Sequence, residues 1–411
     1  MANKITVSPE EQFQEIKVGV SEIIDEGELL GKLKRSFKTQ TPLRVKLGAD
    51  PSSPDIHIGH TVVLSKLKML QDFGHHVIFI IGDFTARIGD PTGKSKTRPE
   101  LSTGEVLANA ETYQSQIFRI LDQEKTEVVY NSNWLDKINP MDFIRLLATR
   151  TVQQLIVRDD FAKRFKENSP IYLHEFVYPI LQGYDSLHLK ADIEMGGTDQ
   201  RFNLLLGREM QRQAGQEAQC LILMPLLEGL DGVMKMSKSL NNYIGISEEP
   251  REIFGKTMSI TDETMLRFYD LLSRKGRDAI LSIRKRLSDG TLHPMDAKKD
   301  LAQELVEHYW GKDAATEARK RFEETFSDKK IPTDLPEHVV KTDGEGRVNL
   351  VDISLAMGFA QTRSEVRRIL SQNGIRIDGQ PVNSEWQTLS PGKSYVMKQG
   401  KLKMCKLIVR I

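Results

Sequence analysis

The chain has 411 residues, 39% of them apolar and 28% charged, a balance that excludes disordered and fibrous proteins and leaves room for two or three globular domains. Its formal net charge of +1 hides an asymmetry: residues 351–411 hold 10 Lys and Arg against 4 Asp and Glu, a basic tail suited to a polyanion or simply to a soluble surface. Two cysteines, Cys220 and Cys405, exclude a disulfide framework and a zinc cluster, and the longest apolar stretch, Cys220 to Leu227, is eight residues with Pro225 inside it, against the roughly 18 of a membrane span.

Met1 to Ile16 alternates polar and acidic residues without the apolar stretch of a secretory signal, so no membrane association and a cytoplasmic location are expected. From Leu43 to about residue 245, short apolar runs alternate with helical patterns, the mark of parallel strands joined by crossover helices in an α/β fold. Leu43 to Ala49 reads as a first strand. Gly59 to Phe73 follows as a helix, with Val63, Leu64, Leu67 and Leu70 at helical spacing and Gly74 at its C-terminus. Val77 to Ile81 is a β-branched run of the kind covered on both faces of a sheet, and Glu127–Tyr130, Leu187–Ile193 and Leu221–Met224 are further strand candidates. Open α/β sheets bind ligands at the carboxyl ends of their strands, so polar residues just after these runs are the first candidates for a site.

Residues 250–326 change character. Amphipathic segments at Asp262–Arg274, Arg277–Arg286, Pro294–Trp310 and Ala314–Thr325 predict a helical domain, and Pro332, Pro336, Gly344 and Gly346 among charges predict a linker. Beyond it, Ser354 to Phe359 and an Arg-rich segment around Arg363–Leu370 read as helices, followed by short β-type runs with Asp378-Gly379 as a turn between two of them. The expected division is therefore 1–249, 250–330, a linker at 331–346, and 347–411.

Two segments carry most of the chemistry. Asp50 to His60, with the sequence D-P-S-S-P-D-I-H-I-G-H, lies between the first strand and the first helix. Helix N-terminal amides favour an anion, His57 and His60 can both donate to phosphate oxygens, and Gly59 lets a base or phosphate approach the backbone; two helix-capping histidines are the plain alternative. Lys235-Met236-Ser237-Lys238-Ser239 sets two ammonium groups three residues apart after the last strand candidate, flexible point charges able to follow a moving pyrophosphate, or simply an exposed basic loop. A third segment, Gly89 to Ser95, is one residue short of a Walker loop, and no G-x-G-x-x-G occurs in the chain.

Taken together, H-I-G-H and K-M-S-K-S some 175 residues apart resemble the signature pair of class I aminoacyl-tRNA synthetases, and over nearly the whole chain the resemblance is to bacterial tyrosyl-tRNA synthetases. Gly48–Pro51, Ile88–Lys94, Tyr178–Asp185, Gly196–Gln200 and the basic tail carry it further. The resemblance implies a Rossmann-like catalytic domain, a tRNA-contacting helical domain and a small α+β S4-like RNA-binding domain. It implies an enzyme that activates tyrosine with ATP and transfers it to the 3′-terminal ribose of tRNA(Tyr), as a homodimer joined through the region around 125–190. Ser52, His57, His60, Lys94, Arg98, Lys235 and Lys238 would grip the phosphates; magnesium would accompany the nucleotide, with no metal site in the protein itself. Asp50, Asp90, Tyr178, Gln182 and Gln200 would hold the amino acid and Asp185 its phenol, while Gly59, Gly197, Asp199 and Lys238 would meet ATP.

Tyr178, Gln182 and Asp185 also fall on one face of a helix by spacing alone. Many members of the family place a tyrosine two residues before the glycine of the first strand, as a second ligand of the phenol, where this chain has Lys46. In the tail, Arg363, Arg367 and Arg368 lie on one helical side and resemble an S4-type face that reads RNA through phosphates and 2′-hydroxyls; a plain basic helix is the alternative. Three other functions share some of these features. A tryptophanyl enzyme has the signature pair and usually lacks such a tail, a small-molecule nucleotidyltransferase explains only residues 50–60, and a non-catalytic RNA-binding relative would keep the tail alone.

Overall fold

A computed structural model describes residues 4–51, 55–90, 102–326, 335–400 and 403–410. The chain divides into two compact units, Met1–Arg319 and Lys320–Ile411.

The first unit is built on a six-stranded sheet of β1 (Glu22–Ile24), β2 (Arg44–Ala49), β3 (His76–Ile81), β4 (Thr126–Tyr130), β5 (Ile193–Gly197) and β6 (Cys220–Met224), in the order β1-β6-β5-β2-β3-β4. Five strands are parallel and β1 runs antiparallel at the edge on β6. All of β6 and five of six residues of β3 are buried, because crossover helices cover both faces of these strands. The chain passes from β2 outward to β3 and β4, then returns to the other side of β2 to lay down β5 and β6. This reversal opens a crevice at the carboxyl ends of β2 and β5.

The helix Ile58–Asp72 follows β2 as expected, buried along Val62, Leu64, Leu67 and Leu70. The expected strand Leu187–Ile193 is corrected: Leu187 to Leu189 form the last turn of a long helix, Leu173–Leu189, Lys190 caps it at φ 48°, and β5 starts only at Ile193. A short alternating run read in isolation matches a strand, but Leu189 continues a helical face begun at Tyr178 and is buried on it. The helices Pro9–Lys17 and Glu26–Thr39 and the edge strand β1 were not anticipated. Residues 250–326 are helical, as Pro250–Ser259, Asp262–Leu272, Arg277–Ser288, Pro294–Trp310 and Lys312–Phe326.

The second unit contains β7 (Glu337–Lys341), β8 (Arg347–Asn349), β9 (Ile375–Ile377), β10 (Gln380–Val382), β11 (Trp386–Thr388), β12 (Ser394–Gln399) and β13 (Lys403–Arg410). The order β10-β9-β12-β13-β7 makes a five-stranded sheet, and β11 pairs with β8. The segment expected as linker thus supplies β7, which pairs in parallel with β13 and buries Val340; Pro336, Gly344 and Gly346 flank the strand rather than interrupt it. The helices Leu350–Ala356 and Arg363–Ser371 pack Val351, Val366 and Leu370 onto Ile375, Met397 and Leu407. Asp378 and Gly379 both have positive φ (47° and 81°), the geometry that a two-residue hairpin between β9 and β10 requires.

Candidate active site

The crevice holds a cleft of about 700 Å³. Asp50, His57, Gly59, His60, Asp90, Tyr178, Gln182, Asp185, Gly197, Asp199, Gln200, Lys235 and Lys238 all line it, so segments from five parts of the chain meet there. Ser52, Lys94 and Arg98 lie outside the described residues. The three arginines of the tail belong to the second unit.

Asp50 leaves the end of β2 and is gripped from two sides. Thr85 Oγ1 donates to its Oδ1 at 2.7 Å and Tyr178 OH to its Oδ2 at 2.8 Å. Gly82 follows β3 immediately beside it, and a Cβ there would lie 2.1 Å from Asp50 Oδ1, so only glycine fits. Burial and the nearby Asp50 raise the Tyr178 phenol well above its usual range, which keeps it a neutral donor. Next to this pair Gln200 donates to Asp90 Oδ2 at 3.0 Å, and Asn203 bridges Gln182 Oε1 at 2.9 Å and Gln200 Oε1 at 3.1 Å. Two carboxylates among fixed neutral donors form a wall suited to an ammonium group.

Deeper in, Asp185 is buried and accepts the Trp134 indole N–H at 2.8 Å and the Asn131 amide at 3.4 Å. Burial pushes its carboxyl up to about 6, opposed chiefly by the positive Lys46. Lys46 forms a buried ion pair with Glu194 at 3.0 Å, and both line the same floor.

The mouth of the cleft has the opposite character. Ile58 N donates to Ile244 O at 2.9 Å and His57 pairs as a β-bridge with Gly245, so the start of the histidine helix is stitched to the segment that follows the lysine loop. The two imidazoles stack with centroids 3.8 Å apart. The His57 backbone N–H donates to His60 Nδ1 at 3.2 Å, which places the His60 proton on Nε2 as a donor available to a ligand. Burial, with His60 and the two lysines adding to it, lowers His57 to about 2, so this ring is neutral at any working pH. Its buried Nδ1 has no hydrogen-bond partner among the described residues, and a Cβ on Gly59 would stand 2.9 Å from that atom. Lys235 reaches Asp199 at 3.3 Å and Lys238 reaches Asp55 at 3.2 Å, both in partly exposed pairs.

Several residues that shape the site carry no motif. Asn131, Trp134 and Thr85 orient the two aspartates; Asn131 stands directly after β4, where the strand-end rule points, whereas a lone tryptophan gives no periodic signal. Asn242 is the hub of the lysine loop. Its Nδ2 donates to Asp231 Oδ2 at 2.8 Å and to the Lys235 and Met234 carbonyls at 3.2 and 3.4 Å, and its Oδ1 accepts Ser237 N–H at 2.8 Å. Gly229 makes room for it, since a Cβ there would fall 2.2 Å from Asn242 Nδ2.

In the second unit the exposed Arg363 and Arg367 are paired with Asp352 at 2.6 Å and Glu385 at 2.7 Å. Surface pairs of this kind are weak, screened by water and salt.

Residues 38–327 match the family described as tRNA synthetases class I (W and Y), and residues 350–393 match the S4 domain. The chain is 51% identical to the tyrosine–tRNA ligase of Moorella thermoacetica over 96% of its own length and 95% of that protein's. It is 50% identical to that of Coxiella burnetii over 98% and 100%. Among solved structures, the tyrosyl-tRNA synthetase of Archaeoglobus fulgidus complexed with L-tyrosine aligns with a TM-score of 0.62 at 26% identity, covering 76% of this chain and 99% of that one.

The Asn242 clasp makes a direct prediction. Asn242→Ala removes the acceptor of the Ser237 amide and the bridge to Asp231, so hydrogen exchange at Ser237 is expected to quicken about 10–100-fold. An unchanged rate at Ser237 would show that the loop keeps its form without the clasp.

Proposed function

The chain belongs to the tyrosine–tRNA ligases of the class I tRNA synthetases, and on that premise we propose how its residues share the work. The reaction has two steps. An oxygen of the tyrosine carboxylate attacks the α-phosphorus of ATP, the bond to the β-phosphate breaks, and pyrophosphate leaves tyrosyl-adenylate behind. A hydroxyl of the terminal tRNA ribose then attacks the acyl carbon and AMP departs.

The first step needs little proton transfer, so catalysis rests on positioning and on donors that hold the phosphates more tightly in the transition state. The observation that supports this most directly is that the histidine helix and the lysine loop open onto one cleft. In this reading His57, His60, Lys235 and Lys238 line the path of the triphosphate, with Ser52, Lys94 and Arg98 of the undescribed segments assigned to the same task by resemblance. Gly59 and Gly197 leave room for the nucleotide, and Asp199 accepts the ribose hydroxyls once Lys235 turns to the phosphates. Tyr178, Gln182, Asp90 and Asp50 hold the ammonium, Gln200 steadies them, and Asp185 accepts the phenol proton. Magnesium arrives with the ATP phosphates, and the imidazoles and ammonium groups at the mouth would meet the phosphate oxygens rather than the metal.

Arg363, Arg367 and Arg368 meet tRNA phosphates. The partner in the dimer is a second copy, seated on the apolar side chains Ile144, Val152, Val157, Phe165 and Leu173, all exposed on the segment between β4 and β5. The place of work is the cytoplasm, where tRNA is charged.

Three outcomes test these assignments. His57→Ala is expected to slow single-turnover adenylate formation about 10²–10³-fold, and an unchanged rate would remove His57 from the phosphate path. The preference for tyrosine over phenylalanine in pyrophosphate exchange, as a ratio of kcat/KM, should be flat from about pH 7.5 upward. Below about 6 Asp185 is protonated and no longer takes the phenol proton, so the ratio should fall; His57 does not titrate in this range, and a ratio constant to pH 4.5 would oppose the assignment. Sedimentation should give twice the chain mass for the natural protein and the single chain mass for Ile144→Asp/Leu173→Asp; a natural monomer at micromolar concentration would overturn the proposed interface.

A further inference from the structure

The floor of the cleft holds a buried cation. Lys46 lies in β2, 1% exposed, opposite Glu194 of β5 in the sheet register. Its Nζ is 3.0 Å from Glu194 Oε1. The other oxygen of Glu194 accepts the Ser186 hydroxyl at 3.0 Å and the Gln219 amide, so the carboxylate is held and in turn holds the ammonium. A lysine has three N–H donors. One goes to Glu194 and a second makes a long contact of 3.5 Å to the Gln182 carbonyl, on the turn of the helix that leads to Asp185. Lys46, Gln182, Asp185 and Glu194 line the same end of the cleft.

We propose that Lys46 is a specificity-determining residue that donates a hydrogen bond to the phenol oxygen of tyrosine while Asp185 accepts the phenol proton. This inference rests on the reading of Asp185 given above and adds a second ligand to it. A phenol has one proton to give and lone pairs to receive, so a fixed acceptor and a fixed donor satisfy both. Phenylalanine leaves both protein groups without a partner in a buried place, and a site built to bond a substrate hydroxyl rejects the analogue lacking it by about 10⁴–10⁵, a range for which tyrosyl-tRNA synthetases against phenylalanine are the known example rather than a result for this chain. A purely structural pair has no need of the cleft floor, and an apolar pair of similar volume commonly replaces a buried ion pair without loss. Positive charge at Lys46 also favours the ionised form of the neighbouring Asp185, so one lysine serves both halves of the recognition.

The test compares tyrosine and phenylalanine in pyrophosphate exchange, at a pH well above the Asp185 transition so that Asp185 stays ionised, for the natural protein and for Lys46→Met/Glu194→Gln, which removes the two charges of the pair together. The ratio of kcat/KM values is expected to drop about 10–100-fold in the variant, through the tyrosine value. General damage lowers both amino acids alike, so a ratio within threefold of the natural one overturns the proposal. A second measurement needs no variant. 4-Aminophenylalanine can give an N–H to Asp185 but its nitrogen is a poor acceptor, so on the natural protein its kcat/KM should fall at least about tenfold below that of tyrosine; equal values overturn the proposal. Absence of tyrosine-dependent exchange in the natural protein would instead refute the functional reading itself, separating the two failures.

Discussion

The constraint on which the site depends is the reversal of strand order beside β2. Adjacent parallel strands wound in one direction send their following connections to the same face of the sheet, but from β2 and β5 the chain winds in opposite directions and the loops part to opposite faces. Ladder pairing between them reaches only Val45 with Ile193 and Lys46 with Glu194, after which the strands diverge. Asp50, Gly82, Asn131, Asp199 and the lysine loop all follow strand ends on this one edge of the sheet. The backbone hydrogen bonds of five parallel strands therefore fix the origin of every group in the cleft, and only side-chain rotamers and loop closure are left to be settled locally.

From floor to mouth the cleft changes sign. Asp185, Asp50 and Asp90 lie inside, and Lys235 and Lys238 lie at the entrance with neutral imidazoles between. An unpaired buried carboxylate would cost several kcal/mol, and the structure meets that cost with donors for each: Trp134 and Asn131 for Asp185, Tyr178 and Thr85 for Asp50, Gln200 for Asp90. The entrance lysines need no such care. Their pairs with Asp199 and Asp55 are partly solvated, so each is held loosely enough to exchange its carboxylate for a phosphate at little cost. A zwitterion with its ammonium inward and a polyanion outside match this gradient.

The parts of this arrangement that follow from periodicity were legible in the sequence. The β-branched run of β3, the apolar stripe of Ile58–Asp72 and the helical spacing of Tyr178, Gln182 and Asp185 each encode a local geometry that tertiary packing did not overturn. The misread segment, Leu187–Ile193, is one where an alternating run is too short to distinguish a helix end from a strand, and only packing of Leu189 decides it. Glu337–Lys341 escaped because a strand paired only at long range leaves little trace among prolines and charges. In the site, His57, His60, Lys235 and Lys238 drew notice by their spacing, whereas Asn242, Trp134 and the Lys46–Glu194 pair act through contacts 5 to 148 residues away in the chain, and a single polar residue does not announce its partner. Lys46 did stand out as a departure, but its meaning depended on seeing Glu194 opposite it.

The helical region also bears on the chemistry, through the histidine helix. Thr61, next to His60, gives its one hydroxyl proton to Ile58 O at 2.8 Å and lies 3.0 Å from Tyr309 OH. Tyr309 must therefore be the donor in that contact, and burial, which raises its phenol to about 12, keeps the proton in place. Its neighbour Trp310 lies under the Arg119 guanidinium, 5.2 Å from the ring centroid, and Arg119 donates to Ile246 O at 3.2 Å. The end of Pro294–Trp310 thus fastens both the first turn of the histidine helix and the strand-like segment at Ile244–Ile246 that the helix bonds to. The lysine loop, by contrast, closes mainly on itself, through Asp231, Asn242 and the Glu228–Lys235 bridge. Of the two segments at the mouth of the cleft, the histidines are thus fastened from the helical region, whereas the lysines ride on a loop shaped largely by its own Asn242 clasp.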